Sequence, residues 1–151
     1  MSPRGDVRGF VRILDKRTLF VPDRPGSRIG DALRNIVARP AVGLLFFFPG
    51  HGTTFRVNGD AYVTDDPSLL AASALHGSTP RLGIVVTIRE AYTQCPKAFL
   101  RSELWNPARH VASEELPTGG AVVQSIIGDT FDAESYERER AERYARGEGM
   151  W

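Results

Sequence analysis

The chain has a single cysteine among its 151 residues, Cys95, which excludes an internal disulfide and any zinc site built from several cysteines. Its three histidines, at positions 51, 76 and 110, lack the spacing of metal ligands, so we expect no metal site. The sequence also lacks a recognisable serine–histidine–aspartate or cysteine–histidine arrangement and a pair of catalytic carboxylates. The catalytic residues therefore stay unassigned.

Long hydrophobic runs are also missing. The longest apolar stretch covers residues 41–48, which is too short to span a bilayer, and the first residues show no signal-peptide pattern. We therefore expect a cytoplasmic protein without a membrane partner. The hydrophobic share of 42% and the charged share of 25% are those of an ordinary globular domain with a real core.

Positive charge is concentrated at the start of the chain, although the formal net charge of the whole chain is only +1. Residues 1–40 contain nine Arg or Lys against four Asp, a net charge of +5, which leaves −4 for the rest. This excess favours an anionic partner, of which phosphate is the simplest. We expect no nucleic acid partner, because aromatic residues are not interleaved with the basic ones.

The apolar patterning predicts strands over residues 9–14, 18–22, 41–48, 53–64 and 82–88. The third strand should be buried on both faces, and Asn58-Gly59 should form a bulge or bend in the fourth. Helices are predicted from Ile29 to Pro40, from Asp66 to about Leu75, over residues 95–105, and in two segments after residues 116–120. This irregular order favours a small antiparallel barrel with helices at its rims.

The segment from Asp23 to Arg28 lies just before the helix predicted from Ile29. A helix amino terminus offers free N–H groups and a positive dipole end, which suit phosphate. Arg24 and Arg28 add guanidinium groups that bind phosphate oxygens, and Ser27 is placed to cap the helix, to bind phosphate, or both. The alternative is an ordinary capped surface helix with solvated arginines.

Eight short segments between residues 2 and 107 form a more specific pattern. They are Ser2-Pro-Arg-Gly-Asp6, Gly9-Phe-Val-Arg12, Asp23-Arg-Pro-Gly-Ser-Arg28, Leu33-Arg-Asn35, Val42-Gly-Leu-Leu-Phe46, Arg56-Val-Asn-Gly59, Gln94-Cys-Pro-Lys97 and Leu104-Trp105. In their order and spacing the chain resembles the pyridoxamine 5'-phosphate oxidase-like, FMN-binding split-barrel family, and within it the uncharacterised bacterial branch. Members of that family carry a helix and a first strand before the segment that matches Ser2-Pro-Arg-Gly-Asp6. Either this protein is naturally short or its start is misplaced, and a missing first strand would expose a barrel edge.

The resemblance implies a set of cofactor-binding residues, which are Ser2, Pro3, Arg4, Arg12, Pro22, Asp23, Arg24, Ser27, Arg28, Thr54 and Trp105. In the family, the strand-to-helix turn holds the FMN phosphate, the strand end before it lines the flavin ring, and the early segment passes along the flavin. Thr54 occupies a position that reaches the flavin across a dimer, and Trp105 a position near the partner's cofactor.

The fold that the resemblance implies is mainly β with short helices, of the α+β class, as a split antiparallel β-barrel. Residues 1–115 would form the FMN-binding domain, and residues 116–151 a helical extension that packs on the barrel or on the partner of a homodimer. The implied activity is that of an FMN-dependent oxidoreductase with an unknown small-molecule substrate, since a flavin is the only reagent that we identify. Residues that recognise pyridoxine phosphate are not matched. A non-catalytic flavin-binding or dimerisation module, or a split barrel that uses deazaflavin or haem, remains an alternative.

Overall fold

The computed structural model describes residues 1–25 and 30–148. The chain divides into two compact units, Met1–Trp105 and Asn106–Trp151, which are described one at a time. The division lies before the boundary at residue 115 that the sequence predicts. The roles assigned to the two parts stay predictions.

Within residues 1–25 and 30–105, the first unit is built on an antiparallel sheet of five strands with three short helices. The strands are β1 Arg12–Asp15, β2 Thr18–Pro22, β3 Ala41–Phe46, β4 Thr54–Thr64 and β5 Gly83–Gln94, and the helices are α1 Asp31–Ala38, α2 Pro67–Ala71 and α3 Lys97–Ser102. The strand order is β1-β2-β5-β4-β3, so β2, β5 and β4 lie inside the sheet and β1 and β3 form its edges. The predicted α+β class with a mainly antiparallel sheet is confirmed.

The core lies on both faces of the inner strands. In β2, Leu19 and Val21 face one apolar cluster while Phe20 faces the other, and all three are buried. The first cluster is closed by Ile36 of α1, and the second by Leu70 of α2. Successive strand residues point to opposite faces, so a run of apolar residues such as β2 is what a strand covered on both sides requires.

The prediction that residues 41–48 form a strand buried on both faces is wrong. β3 pairs only with β4, and alternate residues along it are exposed. Leu44 packs against the core, whereas Leu45 is 44% exposed. Phe47 and Phe48 lie beyond the end of the strand, with half of their surface exposed. An apolar run thus marks an edge strand that carries a second, uncovered apolar face.

The helix α1 starts later than the sequence predicts. Its N-cap is Gly30, which has a φ of 69° and makes no side-chain capping bond, so the prediction of Ser27 as N-cap is wrong. The left-handed backbone at Gly30 interrupts the helix before Asp31, and glycine adopts this conformation without strain.

The predicted cap of α2 is confirmed, because the Asp66 carboxylate accepts hydrogen bonds from the backbone N–H groups of Ser68 and Leu69.

A bulge divides the two longest strands, as predicted at Asn58-Gly59. Asn58 pairs with Glu90 and Gly59 with Ile88, so Arg89 is an extra residue in β5. Before the bulge, residues 83–86 of β5 are buried, and after it residues 89–94 are all exposed. The bulge therefore marks the point where β5 leaves the core, well beyond its predicted end at Ile88.

Over its described residues, 106–148, the second unit contains two α-helices, α4 Gly119–Ile127 and α5 Ala133–Ala145, as predicted for the segment after residues 116–120. The Thr118 hydroxyl caps α4, and the Asp132 carboxylate caps α5. Across the described residues, no helix is long and apolar enough to cross a membrane. The packing of this unit on the barrel or on a dimer partner stays a prediction.

Candidate functional site

Two reciprocal ion pairs join the amino-terminal arm, residues 1–10, to the turn that follows β2. Arg4 Nη1 of the arm lies 2.5 Å from Asp23 Oδ1 of the turn. In the opposite sense, Arg24 Nε of the turn lies 2.5 Å from Asp6 Oδ2 of the arm. Each segment thus contributes one arginine and one aspartate. We refer to Arg4, Asp6, Asp23 and Arg24 as the clasp.

Backbone hydrogen bonds hold both sides of the clasp in place. The Asp23 N–H donates to the Leu82 carbonyl at 2.9 Å, which ties the turn to the segment just before β5. In the arm, the Val7 N–H donates to Asp6 Oδ1 at 2.7 Å, and the Phe10 N–H donates to the Val7 carbonyl at 3.2 Å. The clasp is therefore fixed to the sheet on one side and to a tight turn on the other.

Asp6 is the most buried member of the clasp. Its side chain is 1% exposed, against 17% for Arg24 and 29% for Arg4. Burial raises the pKa of Asp6, but the hydrogen bonds from Arg24 and from the Val7 N–H, with the charges of Arg24 and His76, outweigh it. The net pKa lies below the ordinary value, so Asp6 is ionised at neutral pH.

The clasp changes the charge expected at this end of the sheet. Two arginines are balanced by two aspartates, so the cluster is neutral overall, despite the positive excess of the segment that contains it. A guanidinium group has five N–H donors, and one carboxylate oxygen uses only part of this capacity. The clasp therefore holds two arginines in defined positions while they keep the capacity to bind a further anion.

The structure brings together three of the residues that the sequence predicts for the site, Arg4, Asp23 and Arg24. Ser2 and Pro3 lie on the same arm and are exposed. The Pro22 side chain, next to the clasp, is fully buried, so a contact with a ligand would have to use its backbone. The predicted phosphate ligands Ser27 and Arg28 lie outside the described residues.

Three other predicted residues are held by different parts of the first unit. Arg12 Nη1 donates to the Leu69 carbonyl at 3.2 Å. Thr54, at the start of β4, is only 3% exposed, so a contact with a partner's cofactor would require the residues that cover it to move. Trp105 Nε1 donates to the His51 carbonyl at 2.7 Å, and its ring stacks on Phe99. None of these contacts involves the clasp.

Sequence reasoning missed Asp6 as a site residue, and it missed a polar network on β4 and β5. Arg56 Nε donates to Asn58 Oδ1 at 3.1 Å, and Asn58 Nδ2 donates to Glu90 Oε1 at 2.6 Å. The signal for this network was the two-residue spacing of Arg56 and Asn58, which puts both side chains on one face of a strand. A cavity of about 390 Å³ beside it is lined by Ala41, Val42, Asn58, Gly59, Arg89 and Glu90.

No group of three or more His, Cys, Asp or Glu side chains within residues 1–25 and 30–148 is arranged to hold a metal ion.

Comparison with known proteins gives one family and a distant structural likeness. Two crystal structures of HupZ from Group A Streptococcus, one the tagged protein and one a single-residue variant of it, are 11% identical to this chain, with TM-scores of 0.47 and 0.48. The alignments cover 56% of this chain and 68% and 73% of the HupZ chains. Among curated proteins, no significant match was found. The family described as pyridoxamine 5'-phosphate oxidase matches residues 2–95, which is more than half of the sequence and includes the clasp and all five strands. The chain belongs to the pyridoxamine 5'-phosphate oxidase family.

Proposed function

We propose that the chain is an FMN-dependent oxidoreductase that acts on a small molecule and works as a homodimer. Membership of the family supports a flavin-binding fold. The observation that carries the proposal is the clasp, which holds Arg4 and Arg24 at the end of β2. The cytoplasmic location predicted from the sequence is part of the same proposal.

The donors at this end of the sheet fit a terminal phosphate. Guanidinium groups bind phosphate oxygens with charge-assisted hydrogen bonds, and the clasp fixes two such groups. Farther along the chain, α1 begins without a side-chain cap, which leaves free N–H groups in its first turn, but the Asp31 carboxylate in that turn works against a bound anion. Ser27 and Arg28, between the two, remain proposed phosphate ligands on the sequence alone. When bound, the flavin would supply hydride or electron transfer, and the residues named here would bind and orient it.

FMN is expected to bind more tightly than riboflavin by about 10- to 100-fold, because contacts with a charged phosphate contribute about 1.5–3 kcal/mol. FAD should bind more weakly than FMN, because the sequence contains no Gly-x-Gly-x-x-Gly turn for a pyrophosphate. Fluorescence titration of the three flavins measures these affinities.

Arg24→Ala should remove most of the preference for FMN over riboflavin, whereas Arg39→Ala, at the exposed end of α1, should preserve it.

Tighter binding of FAD than of FMN would contradict the terminal-phosphate site, as would equal affinities for FMN and riboflavin. A second assay separates an enzyme from a binding module. With FMN bound, an oxidoreductase should show turnover with a reduced nicotinamide and an electron acceptor. Tight FMN binding without turnover across a range of acceptors would favour the non-catalytic module instead.

A second copy of the chain is proposed to cover the uncovered apolar face at the β3 edge of the sheet. Leu45 and Tyr92 both lie opposite Arg56 on this face, and they are 44% and 38% exposed. Phe47 and Phe48 follow directly after β3 and are 52% and 47% exposed. A stable dimer would bury more than about 1,000 Å² in total. Arg56 lies between Leu45 and Tyr92 in register, so the proposed contact would combine exposed apolar side chains with one charged group.

Leu45→Lys is expected to shift the protein from dimer to monomer and to lower its flavin occupancy, because a lysine in the apolar contact would lose its hydration. Ile13→Lys is the matched control, since Ile13 is 77% exposed on β1, at the opposite edge of the sheet. Sedimentation velocity at micromolar concentration, read at the flavin absorbance, measures both quantities. A wild-type monomer loaded with flavin at that concentration would refute the proposed dimer site.

A further inference from the structure

The Asp6 side chain is covered by its neighbours, although the residue as a whole is only half-buried and the arm around it is exposed. Its side chain is 1% exposed, while residues 2–5 and 7–9 on either side are exposed to solvent. Burial of a charge costs free energy unless the charge is paired and hydrogen-bonded. Asp6 meets this condition through Arg24 and the Val7 N–H.

Stability alone gives little reason for this arrangement. A buried ion pair often contributes no more to folding than an apolar pair of the same size, because desolvation offsets the Coulombic attraction. What the pair does provide is a fixed direction for Arg24. A free arginine side chain has about 2 kcal/mol of rotamer entropy, part of which is lost when it binds a ligand.

The geometry of the pair leaves part of the guanidinium group for another acceptor. Asp6 Oδ2 contacts Arg24 at Nε, on the edge nearest the chain, and the two Nη groups lie at the far end of the same planar group. Because the group is planar, a contact at Nε restricts the directions in which the Nη donors can point. The reciprocal pair of Arg4 with Asp23 holds the arm that carries Asp6.

We propose that Asp6 is a positioning residue, which orients Arg24 from the amino-terminal arm so that the Nη groups of Arg24 bind the phosphate of FMN. This inference rests on the proposed function and adds the arm to the binding site as a structural support. Asp6 itself does not contact the cofactor. Arg24 makes the contact, and Asp6 acts through it.

The test compares the affinities of Asp6→Asn for FMN and for riboflavin with those of the wild type. Asp6→Asn removes a negative charge near the phosphate, so simple electrostatics would make FMN bind more tightly. The positioning role predicts the opposite change, which is weaker binding of FMN. We expect FMN affinity to fall about tenfold while riboflavin affinity stays unchanged. Asp6→Glu, which keeps the carboxylate, should recover part of the loss.

Asp15→Asn is the matched control, because it makes the same change of charge in the same basic segment. The Asp15 carboxylate accepts from the Arg17 N–H in the turn between β1 and β2 and is not part of the clasp. Its FMN affinity should equal or slightly exceed that of the wild type. In a double-mutant cycle, Asp6→Asn should cause no further loss when Arg24 is already alanine.

Unchanged or tighter FMN binding by Asp6→Asn would overturn the positioning role, and so would an equal loss of FMN and riboflavin affinity, which indicates a purely structural effect. If Asp6→Asn does not fold, Asp6→Ser provides the same test. It removes the carboxylate that pairs with Arg24 Nε but keeps Arg24 and its Nη groups, so it should lose FMN affinity and retain riboflavin affinity. A wild type that binds FMN no better than riboflavin would refute the phosphate site itself. The positioning role alone would be refuted by a different result, in which the wild type prefers FMN and the Asp6→Asn variant keeps that preference.

Discussion

Phe20→Ala is expected to lower the free energy of unfolding by about 3–5 kcal/mol, the usual cost of removing a large side chain from a core. Phe20 is fully buried in β2 and packs with Leu70 and Val85. Its ring also lies where a Gly83 side chain would be, since a Cβ on Gly83 would come within 2.2 Å of Phe20 Cε2. The neighbouring strand therefore has no side chain at this point to fill the cavity.

Urea unfolding followed by circular dichroism measures the change for Phe20→Ala. The control is Ile13→Ala, because Ile13 is 77% exposed on the neighbouring strand β1. Its effect should stay within about 0.5 kcal/mol, as for most exposed positions. Similar losses for the two variants would mean that the cluster around Phe20 does not carry the stability assigned to it. A loss of about 3–5 kcal/mol is a large part of the 5–15 kcal/mol that keeps a typical domain folded.

Gly59→Ala is expected to lower the free energy of unfolding by about 3 kcal/mol, at the upper end of the cost of overpacking. A Cβ at Gly59 would lie 2.1 Å from the Thr87 carbonyl oxygen, which is backbone of β5. Backbone in a sheet cannot turn aside as a side chain does, so β4 and β5 would have to separate at the bulge. We also expect flavin affinity to fall, because the bulge sets the direction of both strands beyond the core.

Gly5→Ala is the control for the Gly59 variant, because a Cβ at Gly5 would meet no atom within 4 Å. Thermal and urea unfolding of both variants should show a stability change within about 0.5 kcal/mol for Gly5→Ala. A crystal structure of Gly59→Ala should show a wider spacing between residue 59 and Ile88 than the wild type. A variant of normal stability and unchanged strand spacing would contradict the tight approach at this bulge.

Elements with a strong local pattern were predictable from the sequence. The strand β2, the bulge at Asn58-Gly59 and the Asp66 cap follow from residue types within a few positions of one another, and the structure has all three. The start of α1 was not predictable, because it depends on the left-handed conformation of Gly30. The spacing of the apolar residues does not reveal that conformation. A glycine before a helix is compatible with several backbone paths.

The burial of β3 was also not predictable from the sequence. A continuous apolar run is typical of a strand covered on both sides, but coverage depends on where the strand lies in the sheet. Strand order is a tertiary property, and it puts β3 at an edge with Leu45 exposed. The same order leaves the apolar face that we propose to be covered by a second copy. A wrong prediction of burial thus coincides with the proposed dimer surface.

By itself, the sequence determined the α+β class, the family resemblance between residues 2 and 107, which the family matches over residues 2–95, and the concentration of arginine at the start of the chain. Each of these follows from residue types, local spacing and order along the chain. Only the tertiary structure decided that Arg4 pairs with Asp23 and Arg24 with Asp6, across 19 and 18 residues. Such pairs have no local signal, since every arginine in the segment could meet several aspartates. The choice depends on how the arm folds back onto the end of β2, and that path also buries Asp6 and fixes the direction of Arg24.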